Sequence, residues 1–458
     1  MKFRSAIIPV LVALALVAGA CDGSGGDTTV TTGSGSTVTS ESTTTTTVAP
    51  VTSIPADSIP GTNSPSIPDD VARQMREQIG MIILDVEESR ALPFLEVPTI
   101  TILDEAAFSA RVNQQLAEDL DADELAAQES MFVLLGMLDP SVDLEQLLLD
   151  LYTEQVAGFY DPEAKEMVVP VSIDGITPLQ EITIAHELVH ALTDQHFEFN
   201  GEYEERAENG TGDDAAGMLA LVEGDATYQQ FLYLEGMDPT AAAAAALESL
   251  SYQSDVLNSA PNWMQKDLAF PYEKGLIFTG YLVGESGLKA IDESYQAPPI
   301  STEQILDPAK YVRGELPADL APLTVSLAGW DLHEERSMGE WGVHLLLTDT
   351  LRPGELAQVA SGWGNDTYQL FLRGDDTTFV WSYLAETVED AEELTNALIG
   401  HARDQMGASG SAESGGGLLL EGGTPNVYIS RIYYAKNFNA TTDAPAYADP
   451  RQQYGKLE

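Results

Sequence analysis

The chain has 458 residues, 44% of them hydrophobic, enough to pack one large or two modest domains around a core. Its 73 acidic and 21 basic side chains give a formal charge of −52, and a surface so acidic makes nucleic acid and anionic membranes poor partners. The lone cysteine, Cys21, excludes an intrachain disulfide and any thiolate-built zinc or iron–sulfur site, so a metal would have to be held by His, Asp or Glu.

Residues 1–21 read as an export leader: Lys2 and Arg4, then an apolar run from Ala6 to Ala20 that is too short to span a membrane comfortably. The segment Val17-Ala18-Gly19-Ala20-Cys21 resembles a bacterial lipobox, with Ala18 where Leu is commonest. Lipidation at Cys21 makes the chain an exported surface lipoprotein that meets the membrane only through that anchor; plain cleavage near Ala20 makes it a secreted protein. Residues 22–68 are Thr, Ser, Gly and Pro with few large apolar side chains, and such a segment cannot bury enough surface to offset its ordering entropy. We expect a disordered tether there.

Residues 69–406 carry the folded pattern. Asp69 and Asp70 open a helix over Val71–Arg90; Thr99–Leu103 alternates as a strand, and Asp104 is placed to cap a helix running to about Leu120. Helices follow over about Asp123–Leu138 and Leu144–Gln155, then a hairpin, Val156–Tyr160 and Met167–Val171, turning at Asp161–Lys165. A helix starting near Thr177-Pro178 holds His186-Glu187-Leu188-Val189-His190, and a long helix spans Asp213–Leu234. Beyond an alanine-rich helix start at Ala241–Ala246, helices are expected around Tyr272–Tyr281, Thr302–Ile305, Met338–Leu351, Pro353–Ser361 and Val388–Met406. Strands are expected at Leu323–Leu327, Thr367–Leu372, Thr378–Leu384 and Val427–Tyr434, with a linker at Gly407–Gly417 inside a 407–458 tail. No internal repeat is visible. The fold class is α+β, predominantly helical, with short antiparallel strands.

Four residues apart on a helix, His186 and His190 share one face, and two neutral imidazoles one turn apart can close on one Zn²⁺ with Glu187 beside them. The flanking Ile182, Ile184, Leu188, Val189 and Leu192 suit a buried helix that sets the metal in a cleft. Two residues compete to be the third ligand. His196 stands ten after His186, but in a continuing helix it points about 240° away from His190. Glu223, 33 positions beyond His190, sits among Leu219, Leu221, Val222 and Ala226, where a bare carboxylate is costly to bury.

The chain resembles zincin metallopeptidases of the gluzincin type, whose third ligand is a glutamate from a following helix. More closely, it is similar to a group of largely uncharacterised bacterial exported proteins with HELxHAL-x-DQ-x-F, here His186 to Phe197, and EGDA, here Glu223 to Ala226. Gly158–Pro162, Phe270–Gly275, Ser301–Leu306 and Gly362–Asp366 extend the likeness over about Asp69 to Met406. The resemblance implies a zinc peptidase acting on peptides or proteins, with His186, His190 and Glu223 holding Zn²⁺ and Glu187 as general base. Tyr272, in what reads as a fixed turn at Phe270–Gly275, is the expected oxyanion stabiliser, and Asp194 and Asp225 are candidates to orient the ligand histidines. The strand near Gly158–Tyr160 is a candidate edge for an extended peptide. The competing readings are a zincin-like scaffold that only binds a partner, and a structural zinc closed by a fourth protein ligand. On the lipoprotein reading, Cys21→Ala abolishes partition of the protein into the detergent phase.

Overall fold

A computed structural model describes residues 54–406, apart from 156, 172–173 and 252–253, together with strands at 409–413, 417–421 and 428–434. The leader, Cys21 and most of the expected tether lie outside the described residues. The architecture is α+β and mostly helical, with the described strands gathered into three small sheets.

From Ile54 the chain is part of the body rather than of a tether. Residues 60–64 run along strand β1 (Thr99–Leu103), trading Ile100 N–H to Pro60 O at 2.8 Å and Ser64 N–H to Ile102 O at 2.9 Å. Ile59 and Ile67 are buried against helix α1 (Asp69–Arg90). Composition placed this stretch in the tether because its apolar residues are sparse, yet backbone pairing and two well-placed isoleucines suffice to order it.

Asp104 caps helix α2 (Glu105–Asp119) by accepting the Ala107 N–H at 2.9 Å, as its position predicts. Helices α3 (Ala122–Leu134) and α4 (Leu144–Gln155) lead into strands β2 (Phe159–Asp161) and β3 (Glu166–Pro170). The first sheet has the order β1-β3-β2, with β1 parallel and β2 antiparallel to β3, so β2 is an edge. Helix α5 (Pro178–Phe197) begins at a capping box in which Thr177 and Gln180 each satisfy the other's backbone N–H. Helix α6 (Phe199–Asn209) follows after a left-handed Glu198, and helix α7 (Asp213–Gly236) runs back across α5.

Helices α8 (Pro239–Ser251) and α9 (Asp255–Ser259) precede α10 (Asn262–Ser286), which is unbroken through Pro271. The turn expected at Phe270–Gly275 is therefore helix interior. Proline argues against helix because it lacks an N–H and crowds the preceding turn, but burial of Phe270, Pro271 and Tyr272 outweighs that local cost. The chain continues through α11 (Lys289–Gln296), α12 (Thr302–Leu306) and α13 (Pro308–Val312). Leu323–Leu327 is not a strand; Leu323 and Leu327 are nonetheless buried against Phe371 and Val380.

The second sheet, order β4-β5-β6-β9, is built from β4 (Asp331–Arg336), β5 (Trp363–Arg373), β6 (Asp376–Ala385) and β9 (Tyr428–Tyr434), the last parallel to β6. Helices α14 (Gly339–Leu347), α15 (Pro353–Ala360) and α16 (Val388–Asp404) pack with it. The expected linker at 407–417 contains strand β7 (Ser409–Glu413), which pairs with β8 (Gly417–Glu421).

Helix α7 crosses α10 with the two backbones in contact. A Cβ at Gly224 would stand 2.3 Å from the Gly275 carbonyl carbon, and one at Gly275 would stand 2.1 Å from Ala220 O. The two glycines are two sides of one contact. Alanine is the better helix former by about 1 kcal/mol. Overpacking backbone against backbone costs about 1–3 kcal/mol and lies here at the upper end. Gly224→Ala is accordingly expected to lower the free energy of urea unfolding by about 1–2 kcal/mol.

Candidate metal centre

Helices α5 and α7 cross where their buried faces meet, and three side chains converge there. His186 Nε2 lies 3.1 Å from Glu223 Oε2 and 3.1 Å from His190 Nε2, while His190 Nε2 lies 3.4 Å from the same Glu223 oxygen. All three residues are buried. Among the described residues these three form the group of His, Cys, Asp or Glu whose ligand atoms fall within 4.8 Å of one another. The triad can hold a metal ion.

The spacing fits such an ion. Two atoms each about 2.0–2.1 Å from one tetrahedral cation stand about 3.3–3.4 Å apart. The proton on His186 fits as well. Its Nδ1 lies 2.9 Å from Gln230 Oε1, an acceptor, so with a metal bound Nδ1 would keep its hydrogen and Nε2 would be free to ligate. Gln230 is seven residues beyond Glu223, two turns along the same face of α7.

Electrostatics tells the same story without a metal. Burial works against charging His190, but the Glu223 carboxylate outweighs it and raises the imidazole to about 9. For Glu223, burial opposes the charge, yet His190 and His186 hold its carboxyl down at about 2. The pocket is organised around positive charge, which a proton on His190 supplies. Glu187 is pushed upward by burial, against the pull of His190 and His186. Its Oε2 accepts the Tyr160 backbone N–H at 3.0 Å.

The other expected residues fall elsewhere. His196 is turned away, with Nε2 2.7 Å from Pro93 O, so Glu223 and not His196 completes the triad. Asp194 accepts the Tyr160 phenol at 2.8 Å rather than an imidazole N–H. Asp225 lies about 200° around α7 from Glu223 and pairs with the buried Arg90 at 3.1 Å, which in turn reaches Asp292 at 2.7 Å. Tyr272 is buried, its ring centroid 6.1 Å from that of His186. A narrow cleft opens beside Glu187, His190 and Glu223, and among the described residues the tyrosines lining it are Tyr160 and Tyr203. Tyr203, on α6, is raised to about 12 by burial and by the Glu223 charge. Gln230, Tyr203 and the double contact of Tyr160 escaped the sequence reading; only the seven-residue spacing from Glu223 to Gln230 could have flagged the first.

Residues 327–427 match the family model described as a domain of unknown function (DUF8575), a stretch that excludes the triad and runs past residue 406. No curated protein and no solved structure matches the chain.

Because the metal-free triad holds a proton up to about pH 9, cation uptake at pH 7 is expected to release about one proton from His190. Calorimetry in buffers of different ionisation enthalpy measures that release, which should fade as the pH passes about 9.

Proposed function

We propose that the chain is a zinc-dependent peptidase that hydrolyses peptide bonds outside the cell, with His186, His190 and Glu223 as the metal ligands. The observation that carries this reading is the convergence of three buried ligand atoms beside Glu187, with His190 and Glu223 lining a cleft. Three protein ligands with open space beside them suit a catalytic ion better than a closed structural one. Bound Zn²⁺ would supply a Lewis acid for the scissile carbonyl and for water.

The chain's own residues supply the rest. Glu187, one oxygen engaged by Tyr160 N–H, takes the proton from water with the other and passes it to the departing amine. For the developing oxyanion, the expected donor was Tyr272; Tyr203 lines the cleft itself and is the stronger candidate. The acidic surface supports substrates that are not strongly anionic. Export as a lipoprotein rests on the Cys21 segment alone; among the described residues no helix is long and apolar enough to cross a membrane.

Glu187→Gln is expected to retain one zinc per chain while peptide hydrolysis falls by about 10²–10⁴. His190→Ala and Glu223→Ala should lose the metal, read by elemental analysis of dialysed protein, whereas His196→Ala keeps it. Full zinc occupancy in Glu223→Ala together with loss in His196→Ala would sink the ligand assignment. Zinc bound with no cleavage across a broad peptide library would make the chain a binding module instead. Tyr203→Phe is expected to lower kcat more than Tyr272→Phe, at unchanged zinc content.

A further inference from the structure

Glu187 and Asp194 are seven residues apart on α5, two turns along one face. One residue of the neighbouring sheet holds both: Tyr160 gives its backbone N–H to Glu187 Oε2 at 3.0 Å and its phenol to Asp194 Oδ2 at 2.8 Å. β2 is the edge of its sheet, and amides along an antiparallel strand point alternately toward the partner and away from it. Since the Tyr160 N–H reaches Glu187, it is an outward amide, while Phe159 and Asp161 face β3. An edge N–H otherwise open to an incoming strand is thus taken up by the carboxylate, which narrows the peptide-pairing role expected of this strand.

The geometry points to Tyr160 as a positioning residue for the general base. Its phenol, bonded to Asp194, fixes where the edge strand sits along α5, and the amide so placed decides which Glu187 oxygen remains for the reacting proton. Asp194 therefore acts on the base through Tyr160, and not on the metal ligands, which is the role its sequence position suggested. The purpose of the device rests on the hydrolytic reading above; the contacts themselves do not.

The test uses the zinc-loaded protein and acetohydroxamate, which binds a metal as its anion and leaves its proton with the neighbouring base. Tyr160→Phe should weaken acetohydroxamate binding by about tenfold or more at unchanged zinc stoichiometry, and lower kcat with little change in KM. Asp194→Ala should reproduce the loss, and Asp194→Asn, which keeps an acceptor for the phenol, should restore affinity. In a Glu187→Gln background, Tyr160→Phe should cause no further loss, because the amide then has no base to position. Equal losses in both backgrounds, or none in either, would overturn the assignment. Coupling without peptide cleavage by the wild type leaves this inference standing and removes the hydrolytic reading; cleavage without coupling does the reverse.

Discussion

The Nε2 atoms of His186 and His190 and the Oε2 of Glu223 lie 3.1–3.4 Å apart inside the protein, and electron pairs that close repel unless positive charge stands among them. The surrounding structure serves to hold that convergence. Buried on two packed helices, the three side chains share a proton or can hold a metal ion. The capping box at Thr177 fixes the start of α5, and the Gly224–Gly275 contact locks α7 onto α10 one residue beyond Glu223. Gln230 supplies the remaining constraint, deciding which nitrogen of His186 carries its proton.

The part of the chain that resembles the family of unknown function braces this arrangement from a distance. Asp366 is buried and accepts hydrogen bonds from Ser337 Oγ, the Met338 and Gly339 N–H groups, and the indoles of Trp363 and Trp381, at 2.6–2.9 Å. That carboxylate fastens the N-terminus of α14 to strands β5 and β6, where a negative charge also complements the helix dipole. From there the chain of contacts reaches α7. Thr302 Oγ1 accepts the Trp341 N–H at 3.1 Å and donates to Asp213 at 2.6 Å, and Asp213 is the first residue of the helix that carries Glu223. Burial pushes the Asp213 carboxyl up to about 7, against the Thr302 bonds that favour its charge. A helix anchored at its first residue and clamped at Gly224 has little freedom to tilt.

What could be read without coordinates was whatever is periodic or local. The α5 helix, the Asp104 cap, the Thr99–Leu103 strand and the α7 helix all follow from spacing and capping chemistry, and the convergence of His186, His190 and Glu223 was legible from burial and register on two helices. Unreadable elements had their signal overridden or shared. Pro271 argued for a turn that packing on α7 abolished. Helix α6 has Tyr203 only partly buried at the cleft and no fully buried residue in its span, and so shows no apolar stripe to detect. Residues 54–68 lack apolar density, and their order comes from pairing with a strand about 40 residues away. Tyr160 acts through its backbone amide as much as its phenol, and no side-chain pattern announces a backbone contact.

The partners of the carboxylates near the centre also have a common logic. Asp194 and Asp225 were the natural residues to orient a ligand imidazole, since a carboxylate is a frequent choice, but the protein uses the amide of Gln230. A carboxylate and an amide oxygen fix the tautomer equally well; they differ in charge. A dication facing Glu223 and Glu187 is formally balanced, and a third carboxylate against His186 would leave a buried net negative charge in a chain already at −52. Asp225 is disposed of by the geometry of its own helix: two residues from Glu223, it points to the opposite side, where Arg90, fully buried, neutralises it. Asp194 meets a phenol, a neutral donor, on the face of α5 that carries Glu187. The neutral amide keeps a further carboxylate off His186, while Asp225 is turned to Arg90 and Asp194 is held by a phenol.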